Sequence, residues 1–230
     1  MAFTFFFRDA QTLESAIEEA LPSFCGRAFI HVWDAGCAHG PEPYTLAILL
    51  RERMSDFMFR NVHIHATDID SSFAEQVTSG VFAEAEMKRV PPEMLEKYFQ
   101  PAAAPGFVQV VPELRRCISF TQHDLLSLRP IRDGLSLIVC KNVLLHFDEA
   151  QRIAVLRMFH AALQPGGVVV MEHTQKLPAA LSGLFHPVAR HAQVYQKLTT
   201  ARVDPGPDEA SLAVLRSDRR QRLAMPNLVH

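Results

Sequence analysis

The chain has 230 residues, 48% hydrophobic and 21% charged, with 15 prolines and 16 phenylalanines, a globular balance with enough length for one sizeable core. Its 23 Lys and Arg stand against 25 Asp and Glu, a formal net charge of -2, which gives no electrostatic footprint for nucleic acid or another polyanion. Cys25, Cys37, Cys117 and Cys140 form no CxxC pair and no apolar stretch is long enough to span a membrane, so a reducing cytoplasm is expected rather than export or membrane insertion.

The opening Thr4-Phe5-Phe6-Phe7-Arg8 is aromatic and then charged, and its phenylalanines are expected to pack on the core. Residues 28–35 form a short apolar run ending at Gly36-Cys37-Ala38-His39-Gly40, and Leu46, Leu49, Leu50 and Met54 then recur at helical spacing over 42–54. This is strand, glycine turn and helix. Residues 62–67 alternate apolar and polar and end at Asp68-Ile69-Asp70, after which Ser71 or Ser72 can cap a helix to about residue 79.

From 91 to 120 the rhythm breaks into a short helix over 93–98, a Pro/Ala/Gly loop over 101–106, and strand-like runs over 107–111 and 117–120. The segment 98–120 reads as a small β-rich insert on the sheet's edge. Residues 135–140 are an apolar strand, 148–163 an amphipathic helix, and Gln164-Pro165-Gly166-Gly167 turns into a strand over 168–171. Residues 188–191 and 193–198 read as a closing pair of strands. Beyond 201, Asp204-Pro205-Gly206-Pro207-Asp208 is a linker, and 201–230 is expected to be a tail, loosely docked or disordered. The fold class expected is α/β, a three-layer doubly wound sheet of Rossmann-like type, mostly parallel with a closing antiparallel pair, forming one domain over 1–200.

Ligands of such sheets bind beyond the carboxyl ends of the strands. Gly36 and Gly40, Asp68, Asp124, and Lys141-Asn142 all fall at or just after such ends. The glycines let the backbone approach a ligand, and the helix start after Gly40 offers unpaired N–H groups to an anion. Asp68, ending the second strand, is placed to accept hydrogen bonds from ribose hydroxyls. Together these describe a nucleoside-containing cofactor, although ordinary strand–helix turns use the same residue types. The loop lacks the GxGxxG order, and Asp68 lies further along than the roughly 20 residues usual for dinucleotide sites, so S-adenosylmethionine fits better than NAD. His63 and His65 share a strand face without a third ligand at useful spacing, and no metal is expected.

Several segments follow one another in a recognisable order. They are Thr4-Phe5-Phe6-Phe7-Arg8, Gly40-Pro41-Glu42-Pro43-Tyr44-Thr45, Ala66-Thr67-Asp68-Ile69-Asp70, Gly80-Val81-Phe82, Lys97-Tyr98-Phe99, Cys140-Lys141-Asn142-Val143-Leu144-Leu145-His146-Phe147 and Leu163-Gln164-Pro165-Gly166-Gly167. In that order they resemble the CheR chemotaxis methyltransferases, which methylate receptor glutamates with S-adenosylmethionine, and the resemblance runs from Thr4 to about Leu198. It implies a class I methyltransferase fold with S-adenosylmethionine as cofactor and S-adenosylhomocysteine as product. By the same resemblance, Thr4 and Arg8 close over the cofactor's methionine end, and Glu42 holds its amino group. Asp68 holds the ribose, Asp124 and Leu125 flank the adenine, and Lys141 and Asn142 complete the pocket. Each has a local alternative: a surface arginine for Arg8, a first-turn acid for Glu42, a helix-start cap for Asp68 and a turn for Lys141-Asn142.

The chain departs from the family pattern in three places. It begins three residues before the first matching segment, where family members carry a basic helical receptor-docking domain; His146 replaces a tyrosine near the transferred methyl; and Lys141 replaces arginine, losing the planar fork. A glutamate acceptor, with a reference pKa of about 4.3, needs no general base, whereas a phenol or amine would gain from an imidazole. His146 is therefore expected to orient or deprotonate the acceptor and Arg8 to steer it, the alternative for His146 being packing at a helix entry. The activity expected is O-methylation of a carboxylate on a receptor-like protein. The rivals are a small-molecule methyltransferase on the same scaffold and a non-catalytic S-adenosylmethionine-binding regulatory module. The 98–120 insert resembles the family's β-subdomain, which in some members takes a receptor-tail peptide as an added strand. Nothing in the sequence sets the oligomeric state.

Overall fold

The computed structural model describes residues 4–199, so the expected tail over 201–230 lies outside the described residues. The strands are β1 (Ile30–Ala35), β2 (Val62–Asp68), β3 (Val81–Ala83), β4 (Phe99–Pro101), β5 (Phe107–Val110), β6 (Ile118–Gln122), β7 (Leu135–Cys140), β8 (Leu163–Met171), β9 (Phe185–Pro187) and β10 (Val194–Lys197). The helices are α1 (Ala10–Phe24), α2 (Pro41–Arg53), α3 (Asp56–Phe59), α4 (Ala74–Ser79), α5 (Pro92–Tyr98), α6 (Pro112–Arg115) and α7 (Glu149–Ala162).

Seven strands form the main sheet in the order β6-β2-β1-β7-β8-β10-β9. Pairing is parallel from β6 to β8 and antiparallel through β10 and β9. The near-continuous apolar strands are explained by burial on both faces. Val32, Leu137, Val139, Val168 and Val170 turn to the side of α1 and α2, while Trp33, Ile138, Cys140, Val169 and Met171 turn to the side of α7 and its Val155 and Phe159. This is the expected three-layer α/β architecture.

Several details differ from the expectation: β8 begins at Leu163 and takes in the 164–167 segment expected as a turn, and the short helices α3 and α6 are not among the expected elements. Helix α1 is absent from the predicted elements, although Leu13, Ala16, Ile17, Ala20 and Phe24 recur at helical spacing and are buried. The first closing strand is Phe185–Pro187 rather than 188–191, because Phe185 is buried in the α7-side cluster while residues beyond Pro187 turn back, with the Val188 N–H donating to the Val194 carbonyl. The insert also shifts at both ends. Its small antiparallel sheet, β3-β5-β4, recruits Val81–Ala83 from upstream, and Ile118–Gln122 instead pairs with β2 as the edge of the main sheet. Burial accounts for the upstream strand: Phe82 is fully buried, edge-on to Phe6 at 4.8 Å and to Tyr44 at 5.7 Å.

Candidate functional site

The chain leaves β1 through α2 to β2 on one side of the sheet, and later returns from β6 to β7 on the other side of β1. The carboxyl ends of β1 and β7 are therefore the topological switch point, where such sheets leave a crevice.

At the end of β1, Thr67 of β2 holds the turn. Its carbonyl accepts from the Gly36 N–H at 2.8 Å and the Cys37 N–H at 3.0 Å, and its hydroxyl accepts from the Trp33 indole at 2.9 Å. Gly36 has φ 104°, and a β-carbon there would stand 2.1 Å from Val143 Cγ2, so only glycine lets the β1 turn lie against the segment after β7. Gly40, at φ 109°, opens α2, and Glu42 in its first turn is buried. Asp68 closes the other side. Its Oδ2 accepts from the Ala38 N–H at 3.0 Å and its Oδ1 from the Asp70 N–H at 3.1 Å, which leaves each oxygen a further acceptor direction. The cap of the following turn is supplied by Asp70, whose Oδ1 accepts from the Ser72 N–H at 2.9 Å.

At the end of β7, Lys141 is buried and its Nζ donates to Asp9 Oδ2 at 2.7 Å. Asn142 adopts φ 59°, and its Oδ1 accepts from Arg8 Nη2 at 3.1 Å. The N-terminal segment thus lies across the crevice as a strap. Phe6 anchors it, fully buried and edge-on to Phe82 and to Phe99, the latter at 5.4 Å. The Phe7 N–H donates to Thr45 Oγ1 at 3.0 Å, and that hydroxyl donates to the Pro41 carbonyl at 2.7 Å. Thr4 begins this segment and is half-buried.

Beyond β6, the His123 N–H donates to the Asp68 carbonyl at 2.8 Å. Asp124 caps a short turn through the Leu126 N–H at 3.0 Å, and Leu125 is buried in the α7-side cluster. Asp124 therefore spends one oxygen locally. His146 is exposed, at the end of a single turn that follows Asn142, outside the network linking Arg8, Asp9, Lys141 and Asn142.

Sequence reasoning missed Asp34. It is fully buried in β1, and apart from a proton shared with the Glu42 carboxyl nothing donates to either of its oxygens. Burial pushes its carboxyl well above the usual carboxylate range, Glu42 and Asp68 push it further, and Lys141 opposes them. Glu42 is also raised by burial, but the charge of Lys141, a hydrogen bond from Asp34 and Arg8 pull it back. Both carboxyls are thus pushed up, Asp34 the further of the two. The signal in the sequence was an acid inside an apolar strand, two residues before Gly36; such a group is expensive to bury without a purpose. His31 was missed as well. It stacks on His63 and on His65, ring centroids 5.3 Å apart in each case. Among the described residues, no group of three or more His, Cys, Asp and Glu could hold a metal ion.

The family model "CheR methyltransferase, SAM binding domain" matches residues 2–193. "Chemotaxis protein methyltransferase 2" of Vibrio cholerae is 30% identical over 188 residues, covering 80% of this chain and 65% of that protein. The chemotaxis protein methyltransferase of Salmonella typhimurium is 31% identical over 175 residues, covering 75% and 59%, and that of Escherichia coli is 31% identical over 147 residues, covering 63% and 51%. The chain thus spans between about half and two thirds of the length of these relatives.

Proposed function

Because the chain belongs to the CheR methyltransferase family through its S-adenosylmethionine-binding domain, we propose that it binds S-adenosylmethionine at the ends of β1 and β7. There it methylates a carboxylate oxygen, on a glutamate of a receptor-like protein, and S-adenosylhomocysteine leaves. The observation that carries this reading is the charge layout of the crevice. Orphaned Asp34 and buried Glu42 suit an ammonium, Lys141 and Arg8 suit a carboxylate, and Asp68 suits paired hydroxyls. An amino acid joined to a nucleoside satisfies that donor set.

The cofactor supplies an electrophilic methyl group on a sulfonium, moved by in-line displacement. A glutamate acceptor, with a reference pKa of about 4.3, is already ionised, so the protein's task is positioning rather than proton removal. Arg8, its guanidinium tied to Asn142, steers the acceptor carboxylate, and the strap excludes water above Glu42. Buried Lys141 offsets the Glu42 charge. His146, exposed at the rim, orients the acceptor from the open side. Thr4, Gly36, Asp124, Leu125 and Asn142 complete the cofactor pocket. The cysteines are free and no helix among the described residues is long and apolar enough to cross a membrane; we place the chain in the cytoplasm.

The test is incubation of the full chain with methyl-labelled S-adenosylmethionine and chemoreceptor-containing membranes. Label on protein that alkali releases as methanol is the expected result. Label only in alkali-stable small molecules would replace the protein-carboxylate reading with the small-molecule one, and binding of the cofactor without turnover would leave a regulatory module.

A further inference from the structure

Asp34 and Glu42 pose a local problem that the rest of the site does not solve. Asp34 is fully sealed from solvent and no protein donor reaches either of its oxygens. Glu42, itself buried in the first turn of α2, is the acid within hydrogen-bonding reach. Two carboxyl groups so placed cannot both be ionised without a donor between them, whereas one proton satisfies both.

The surroundings do not supply another proton. Facing Asp34 are Glu42 from α2, Asp68 from β2, Lys141 after β7, and the thiols of Cys37 and Cys140. Facing Glu42 are also Arg8 and Asp9 of the strap. Lys141 is committed to Asp9 at 2.7 Å and Arg8 has Asn142 at 3.1 Å. Burial and the neighbouring acids push both thiols up, so they stay neutral near pH 7. The mobile proton of this cluster is a carboxyl proton.

We propose that Asp34 and Glu42 share one proton in the ligand-free protein, and that the ammonium of the cofactor's amino-acid end takes its place, so that cofactor binding releases one proton to solvent. This deepens the cofactor assignment above and rests on it. The balance is simple: the carboxyl O–H bond breaks, the proton goes to the buffer, and ammonium N–H groups then donate to both carboxylates. The proton leaves as the ammonium arrives, so the two carboxyl groups and the cation between them keep the same net charge. Asp34 is thus a cofactor-binding residue that makes affinity rise with pH.

The experiment is titration calorimetry of the full chain with S-adenosylhomocysteine, at about pH 6.5 in two buffers of different ionisation enthalpy. At that pH an α-ammonium, with a reference pKa of about 7.7–8.0, is already charged and adds little to the proton count. The wild type is expected to release between about a half and one proton, with affinity rising by up to about tenfold per pH unit. Asp34→Asn gives Glu42 a permanent amide donor, and the release and the pH slope are expected to vanish. If that variant fails to fold by circular dichroism, Glu42→Gln tests the pair from the other side, with the same loss of release. An independent reading is the infrared band of a protonated carboxyl, present near neutral pH in the ligand-free wild type and missing in Asp34→Asn. Binding without proton release would overturn the coupling alone. Absence of the band would overturn the shared proton, and absence of binding with the band present would overturn the cofactor assignment and the coupling that depends on it.

Discussion

The three histidines on β1 and β2 predict an acid sensitivity that can be measured directly. His31, His63 and His65 alternate with Val32, Val62 and Ile64, so they lie on the sheet face turned away from α1 and α2. His31 Nδ1 stands 3.1 Å from His65 Nε2 and 2.9 Å from the guanidinium of Arg132. With the Arg132 guanidinium already aimed at that nitrogen, a proton there would face a cation and a second imidazole. Burial, then Arg132, then the neighbouring histidines hold His31 and His65 neutral down to about 4, against an ordinary 6.5. A histidine depressed in the folded state contributes stability above its unfolded pKa and loses it as pH falls from about 6.5 toward about 4, because the unfolded chain takes the proton first. At full value each shift would be worth about 3 kcal/mol. Both rings are only partly buried, and water screens them, which reduces the expectation to roughly 1–2 kcal/mol for the pair. The assay is urea unfolding of the wild type and a His31→Gln/His65→Gln variant between about pH 7.5 and about pH 4.5. Carboxylates titrate in both proteins and cancel in the difference. The wild type should lose roughly 1–2 kcal/mol more than the variant over that interval. Parallel stability curves would refute the reasoning, since they would mean that the folded cluster accepts protons as readily as the open chain.

Other substitutions test the strap and the crevice. Phe6→Ala empties a fully buried site between Phe82 and Phe99; it should lower stability to urea by about 3–5 kcal/mol and weaken S-adenosylhomocysteine binding, as Arg8 and Asp9 lose their anchor. Gly36→Ala places a β-carbon 2.1 Å from Val143 Cγ2 at φ 104° and should abolish ligand binding in calorimetry. Gly166→Ala, at φ 74° with nothing within 4 Å, should show only backbone strain of about 1–2 kcal/mol, and equal losses in the two variants would mean that the crowding at Gly36 is unimportant. His146→Phe changes an exposed side chain, so melting should move little while turnover of the methyl acceptor falls; unchanged turnover would remove His146 from the acceptor side.

The parts of the site that were legible in the sequence are those fixed by chain geometry. Strand ends show themselves as apolar runs stopped by glycine or an acid, so Gly36, Asp68 and Lys141-Asn142 could be placed together from the parallel-sheet rule alone. Arg8 could not: it meets Asn142 across 134 positions of sequence, and only the family resemblance pointed to it. Asp34 was hidden because it occupies an apolar strand, where hydrophobic patterning draws attention away from a single acid. The strand Val81–Ala83 was hidden for a different reason. With three residues it has too little period to read, and its place is decided by Phe82 packing on Phe6 and Tyr44, contacts between distant segments.

Those same distant contacts explain why the strap and the acid site behave as one piece. The first turn of α2 carries Pro41, whose missing N–H costs nothing at a helix start, then Glu42, and one turn on Thr45. Thr45 ties the Phe7 N–H to the Pro41 carbonyl through a single hydroxyl. A shift of that turn therefore moves the carboxyl that faces Asp34 and the segment carrying Arg8 and Asp9 together. Lys141 closes the loop from the opposite strand by pairing with Asp9 while its charge opposes proton uptake at Glu42. The charge state of the buried acids and the position of the strap are thus set by the same few bonds.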